Sequence, residues 1–280
     1  MRTAIQIIVI GILMAGIQAA EPPRAVKVHG HRGARAVRPE NTIPAFEHAI
    51  AAGVDALELD LAVTRDNVVV VSHDPYLHPP ICTGPSESAA IRELTLAEVK
   101  QWDCGSTRNP AFPQQQAVPG ARIPTLDEVF SLSTKGAFDF NIETKLTAAH
   151  PELAPPPDEF ARLVLQQIRN HKLEQRVILQ SFDFRTLIAM QLLAPEIRRA
   201  ALYEGSNTDL VEIARQAQTR IVSPIFRLVT AENVRAAHAA GLTVIPWTPN
   251  RPADWDRLIG VDAIITDDPQ ALIAHLRGKH

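Results

Sequence analysis

Short apolar, β-branched runs alternate along the chain with longer segments whose apolar residues recur at helical spacing, the pattern of repeated βα units. The strand-like runs are residues 25–29, 56–63, 138–143, 177–180, 199–203, 220–223, 243–247 and 263–265. The helical segments are residues 43–52, 126–133, 159–171, 184–193, 209–218, 231–240, 252–259 and 269–277. Asn41 and Thr42 stand where an N-cap is needed, and Thr125 with Glu128 has the spacing of a capping box. Gly53 and Gly241 fall where helices should end. Eight strand–helix pairs predict one (β/α)8 TIM barrel rather than two small domains.

One further run, residues 68–72, is separated from the second strand only by residues 64–67. Four residues cannot hold a crossover helix, so the two runs should form an antiparallel hairpin excursion after strand 2. A hairpin centred on Asp66-Asn67 places Asp60 opposite His73. From about residue 74 to 122 the barrel pattern lapses into a stretch with Pro79, Pro80, Pro85, Pro110, Pro113 and Pro119 and both cysteines of the chain, Cys82 and Cys104. It is too long for an idle turn and leaves the barrel at the active face, so a small insertion capping the site is expected.

Composition changes this picture little, except at the N-terminus. The chain has 280 residues, 46% apolar and 21% charged, with a formal charge of −3 and no basic stripe, which offers nothing to nucleic acid. Arg2, an apolar stretch of 14 residues from Ala4 to Ile17 and the small residues Ala19 and Ala20 have the form of a signal peptide. The stretch falls short of the roughly 20 residues that span a bilayer. The expectation is therefore a cleaved leader, residues 1–20, and an exported single domain, residues 21–280, with no stable membrane anchor. In an oxidising compartment Cys82 and Cys104 suit a disulfide better than a metal site.

Reactive groups of such a barrel collect at the C-terminal ends of its strands. The first strand ends His29-Gly30-His31-Arg32. The second carries Glu58 and Asp60 on one face, because strand side chains alternate. The hairpin returns into Ser72-His73-Asp74, the third strand carries Asn141, Glu143 and Lys145, and the seventh ends at Trp247-Thr248. Oxygen ligands from three carboxylates suit a hard divalent cation, Ca²⁺ or Mg²⁺. His29 is expected to point away from His31, and Asp267-Asp268 to cap the last helix rather than line the mouth. Lys145 and Glu143 have a plain alternative as a structural ion pair.

The segments His31-Arg32-Gly33, Pro39-Glu40-Asn41-Thr42, Glu58-Leu59-Asp60-Leu61, Thr64-x-Asp66 and His73-Asp74 closely resemble the glycerophosphodiester phosphodiesterase family. So do Ile123-Pro124-Thr125-Leu126-x-Glu128, Asn141-Ile142-Glu143-x-Lys145, Gln180-Ser181-Phe182, Trp247-Thr248 and Thr266-Asp267-x-Pro269. The resemblance spans nearly all of the chain after the leader. It implies a TIM barrel that hydrolyses a small-molecule glycerophosphodiester to sn-glycerol 3-phosphate and an alcohol. It further implies Glu58, Asp60 and Glu143 as ligands of one divalent cation, His31 and His73 as catalytic histidines, Arg32 and Lys145 as phosphate contacts, and Trp247 as part of the substrate pocket. Asn67 replaces the glycine usual in the family's hairpin turn, a change that asparagine's tolerance of positive φ permits. Pro249 replaces a residue that is apolar in many members, which bears on the alcohol side.

Two histidines suit the task, since a phosphodiester needs its leaving alkoxide protonated and its attacking oxygen deprotonated near neutral pH. The attacking oxygen is either water or the neighbouring glycerol hydroxyl, through a cyclic phosphate. The nearest rival is a lysophospholipase D acting on lysophospholipids, which requires an apolar cluster at the barrel mouth. In the insertion only Phe112 and Trp102 offer one.

Overall fold

In the second strand, apolar and acidic side chains alternate, and that alternation sorts the residues of the whole barrel into two layers. In the computed structural model, which describes residues 26–146 and 148–278, Leu57, Leu59, Leu61 and Val63 join Val28, Phe140, Ile142, Leu179, Val222 and Ile264 in a core between the strands and the surrounding helices. The opposite phase faces the barrel axis. There Ile178, Ala200, Ile221, Ile245, Ala263 and Ile265 form an apolar floor.

Eight parallel strands make the barrel: Lys27–Gly30, Ala56–Val63, Asp139–Thr144, Val177–Ser181, Arg198–Tyr203, Ile221–Pro224, Thr243–Val244 and Ala263–Thr266. Consecutive strands are paired in register from the first to the seventh, and the first also pairs with the eighth. Only the seam between seventh and eighth is incomplete. It is held by a bridge between Trp247 and Ile265 and by the Ile265 N–H donating to the Pro246 carbonyl at 2.9 Å. The seventh strand is shorter than expected because Pro246 has no N–H for the ladder.

A helix follows each strand, and Ile43–Ala52, Phe184–Leu193 and Pro269–Arg277 have the expected bounds. Thr125 and Glu128 form the expected capping box, but the helix they open runs only Leu126–Phe130 before tightening into a 3₁₀ turn, Ser131–Lys135. Gly53 ends the first helix at φ 88°, a left-handed conformation that costs a glycine little. Thr42 is the N-cap of that helix, yet its hydroxyl donates to the Pro39 carbonyl, and Asn41 is directed elsewhere.

The hairpin forms, with a correction to its register. Leu61 faces Val71 and Val63 faces Val69, and the Ser72 N–H donates to the Asp60 carbonyl at 2.9 Å, so Asp60 lies opposite Ser72 and not His73. Thr64 pairs with Val68, which leaves a three-residue turn, Arg65-Asp66-Asn67, with Asn67 at φ 60°. An odd loop shifts the pairing by one from a two-residue turn.

The insertion has a small core of its own, in which Leu77, Ile91, Val99, Trp102 and the cysteines pack against Val70 and Ala62 of the hairpin. Cys82 and Cys104 are bridged. In the chain-entropy model a loop of this length contributes about 3 kcal/mol. The insertion packs against the loop that carries Arg35. It clamps the loop after the first strand, with Gln115 donating to the Arg35 and Arg38 carbonyls and Phe112 under the Arg35 guanidinium. The expected leader, residues 1–20, lies outside the described residues; among those described no helix is long and apolar enough to cross a membrane.

Candidate active site

Glu58, Asp60 and Glu143 come from two adjacent strands in register, Asp60 beside Glu143, and all three project into the barrel above the apolar floor. One carboxylate oxygen from each lies within 4.8 Å of the other two, and all three residues are buried. Glu58 and Asp60 are held from behind. Glu58 accepts from the Arg32 N–H at 2.9 Å and from Gln180 Nε2 at 2.8 Å, and Asp60 accepts from Asn41 Nδ2 at 2.8 Å. Burial and the neighbouring carboxylates Asp60 and Glu143 push Glu58 well above the ordinary range. At Asp60 burial acts in the same direction, but Lys145 and Arg32 outweigh it and hold the group low. Crowded hard oxygens of this kind fit a divalent cation. A buried Asp60 Oδ1, 3.1 Å from Lys145 Nζ yet without a well-formed hydrogen bond, fits one too.

The two basic residues expected at the phosphate are both tied to these acids. Arg32 sits at φ 50° in the turn after the first strand, with Gly33 following at φ 85°. A side chain at Gly33 would place its Cβ 2.7 Å from the Ala45 carbonyl carbon, so the turn requires glycine. Arg32 Nη1 donates to Glu40 at 2.6 Å, and its Nε is 3.3 Å from Asp60. Lys145 Nζ lies between Asp60, at 3.1 Å, and Glu143, at 2.8 Å. Burial opposes its charge, but the two carboxylates raise its pKa above the ordinary lysine value. The ion pair between Lys145 and Glu143 is thus present, and Lys145 still lines the cavity.

His31 and His73 open on the same cavity, of about 320 Å³, together with Arg32, Arg35, Lys145 and Trp247. His31 Nδ1 is 2.5 Å from Asp267 Oδ1, and its Nε2 is 4.0 Å from Glu58. Because a carboxylate only accepts, Nδ1 carries the proton and Nε2 is left with its lone pair toward the cavity. Burial lowers the His31 pKa, more than Asp267 raises it. His73 Nδ1 is 2.7 Å from Asp74, whose hydrogen bond from His73 draws it down to about 2. Trp247 donates from Nε1 to the Ser223 carbonyl and meets Phe182 edge-on at 5.5 Å.

Several residues of the site were not foreseen in these roles. Asp268 caps the last helix as expected, by accepting from the Ala271 N–H, but Asp267 turns to the mouth and holds His31. Asn250 in turn holds Asp267, donating to Oδ2 at 2.6 Å and accepting from its N–H at 2.9 Å. Gln180 continues from Glu58 to Asn141 at 3.0 Å, and Asn141 reaches His29 Nδ1 at 3.4 Å. His29 is buried in the barrel interior, beside Asn141, with its pKa lowered to about 3 mainly by burial. Glu40 joins Arg32 to Arg35, whose Nε is 3.0 Å away. The signal for Asp267, Gln180, Asn41 and Glu40 was their presence in the quoted motifs.

The glycerophosphoryl diester phosphodiesterase family model matches residues 31–271. A glycerophosphodiester phosphodiesterase of Caldanaerobacter subterraneus subsp. tengcongensis is 33% identical over 252 residues, covering 89% of this chain and 97% of the relative. A crystal structure from Silicibacter pomeroyi, assigned to the glycerophosphoryl diester phosphodiesterases, superposes with a TM-score of 0.86 at 32% identity, covering 92% of this chain and 95% of the other. An Oleispira antarctica phosphodiesterase, solved with the product sn-glycerol-3-phosphate, superposes with a TM-score of 0.76 at 25% identity, covering 90% and 96%.

Proposed function

Because the chain belongs to the glycerophosphoryl diester phosphodiesterase family, and is thus a phosphoric diester hydrolase, we propose that it cleaves glycerophosphodiesters to sn-glycerol 3-phosphate and an alcohol, with a divalent cation and two histidines. The observation that carries this reading is the meeting of the Glu58, Asp60 and Glu143 carboxylates with His31 and His73 at one cavity. Glu58, Asp60 and Glu143 would hold the cation, which supplies neutralisation of the phosphodiester anion. Ca²⁺ and Mg²⁺ both accept such oxygen donors.

The protein's own groups do the rest. Arg32 and Lys145, fixed by Glu40, Asp60 and Glu143, present positive charge to the phosphoryl oxygens without having to reorganise. His31, with its proton on Nδ1 toward Asp267, offers Nε2 as the base for the attacking oxygen. His73, more exposed and anchored by Asp74, protonates the leaving alkoxide. Trp247 and Phe182 form an aromatic wall beside the phosphate. The leader at residues 1–20 supports export, so the working enzyme is periplasmic or secreted.

The test uses the secreted protein, whose intact mass should correspond to a start near residue 21. Release of sn-glycerol 3-phosphate from glycerophosphocholine should stop on chelation and return with Ca²⁺ or Mg²⁺. Glu58→Gln, Asp60→Asn and Glu143→Gln should each abolish turnover in a folded chain. Full activity in excess chelator, with no metal by elemental analysis, would overturn the metal-dependent reading.

A further inference from the structure

His73 stands between two open spaces. It belongs to the walls of the catalytic cavity and of a larger hollow beside it, about 700 Å³, between the loops that follow the third and fourth strands. Its side chain is 35% exposed, against 12% for His31. Packing alone therefore leaves the His73 ring room to turn, and a turn carries Nε2 away from the leaving oxygen. The hydrogen bond from Nδ1 to Asp74 Oδ1 at 2.7 Å is the contact that sets its direction.

Asp74 is half-exposed too, so its carboxylate needs holding in turn. Its backbone is fixed from the hairpin, where the Ser72 hydroxyl donates to the Asp74 carbonyl at 2.9 Å. Its second carboxylate oxygen, Oδ2, is taken by His78 Nε2 at 3.2 Å, and the other nitrogen of that ring donates to the Pro79 carbonyl at 2.7 Å. Both partners only accept, so each ring nitrogen carries a proton when the two bonds are made. A ring held at both nitrogens keeps its place on Asp74. The base of His78 is fixed as well. Leu77 before it is buried in the insertion's core and pairs with Ala89. The His78 carbonyl accepts from the Cys82 N–H at 2.9 Å, and Cys82 is one half of the disulfide.

We propose that His78 is a positioning residue for the leaving-group acid: by holding Asp74 it sets the direction of the His73 ring, and through it the insertion serves the reaction. The proposal rests on the phosphodiesterase reading above, with His73 as the acid. His78 touches neither the phosphate nor the cation ligands, so its effect reaches the chemistry only through the proton that His73 delivers.

The leaving group provides the test. Glycerophosphocholine expels an alkoxide that needs a proton, whereas glycerol phosphate esterified to nitrophenol expels a stable anion that does not. His78→Ala should lower kcat/KM on glycerophosphocholine by about two- to fivefold, what a half-exposed pair is worth, and leave the nitrophenyl substrate at the parent level. His78→Gln, whose amide nitrogen can take the place of Nε2 on Asp74, should restore most of the loss. In the His73→Ala background there is no acid to position, so His78→Ala should cost nothing further. His78→Leu is the second variant, should His78→Ala fail to fold. Equal falls on the two substrates, a further fall in the His73→Ala background, or no fall on glycerophosphocholine would each overturn the positioning role and leave the phosphodiesterase reading standing. If His73→Ala itself loses equally on both substrates, His73 is not the acid and the proposal falls with that assignment. A folded, metal-loaded parent that hydrolyses neither substrate sinks the reading on which the proposal rests.

Discussion

Replacing Asp267 by Asn changes one oxygen into an amide nitrogen at the point where His31 is held. The wild-type carboxylate accepts twice, from His31 Nδ1 at 2.5 Å and from Asn250 Nδ2 at 2.6 Å. Asparagine has a single acceptor oxygen for these two donors. If its oxygen serves Asn250, its amide faces His31 and drives the imidazole to the other tautomer, with Nε2 protonated and unable to act as base. Loss of the charge-assisted bond alone costs about 1.5–3 kcal/mol, or about ten- to a hundredfold at 1.36 kcal/mol per factor of ten. Loss of the base as well should bring the fall in kcat to the ~10²–10⁴-fold of a missing acid–base group. The swap Asp267→Asn with Asn250→Asp lets the new carboxylate at position 250 accept from the amide at 267, which turns its oxygen back to His31. That double variant should recover at least about tenfold over the single one, since the base is restored while the ten- to hundredfold loss of the charge-assisted bond remains. Kinetics on glycerophosphocholine, with thermal midpoints to confirm folding, would measure both. Asp267→Asn within about threefold of the parent would refute a positioning role for Asp267.

The kcat/KM profile should be bell-shaped in pH, because one histidine must be neutral while the other is protonated; His73→Ala should be largely rescued by a nitrophenyl leaving group and His31→Ala should not, and equal small losses on both substrate types would rule out the pairing. Asp103 is held down to about 2: burial works the other way, but hydrogen bonds from the Gly105, Gly120 and Ser106 N–H groups prevail. Since its folded pKa lies below the unfolded one, its contribution is present above about pH 4 and lost as pH falls through about 2. Asp103→Asn should therefore unfold below the parent at pH 7 and converge with it near pH 2, and a constant gap across that window would count against the assignment.

The eight βα units were legible in the chain because strand and helix leave different periods in a sequence. Every barrel strand was located by its apolar phase, and that same phase placed Glu58, Asp60 and Glu143 on the inner face. The motifs around these positions carried the family. Contacts between segments distant in sequence were another matter. Nothing local tells that residues 31 and 267 meet, and they do so only because the first and eighth strands pair when the barrel closes. Gln180 reaches Glu58 for a similar reason, since both project from the inner face of a closed sheet. The hairpin register turned on whether the loop held two residues or three, which its backbone conformation decides and its composition does not. The hollow beside the catalytic cavity likewise arises where the loops after the third and fourth strands face one another. Periodicity is a property of each segment alone, so the sequence by itself determined the elements and their faces. Closure of the barrel brought separate segments together, and only that decided which partners hold the histidines and what lies beside them.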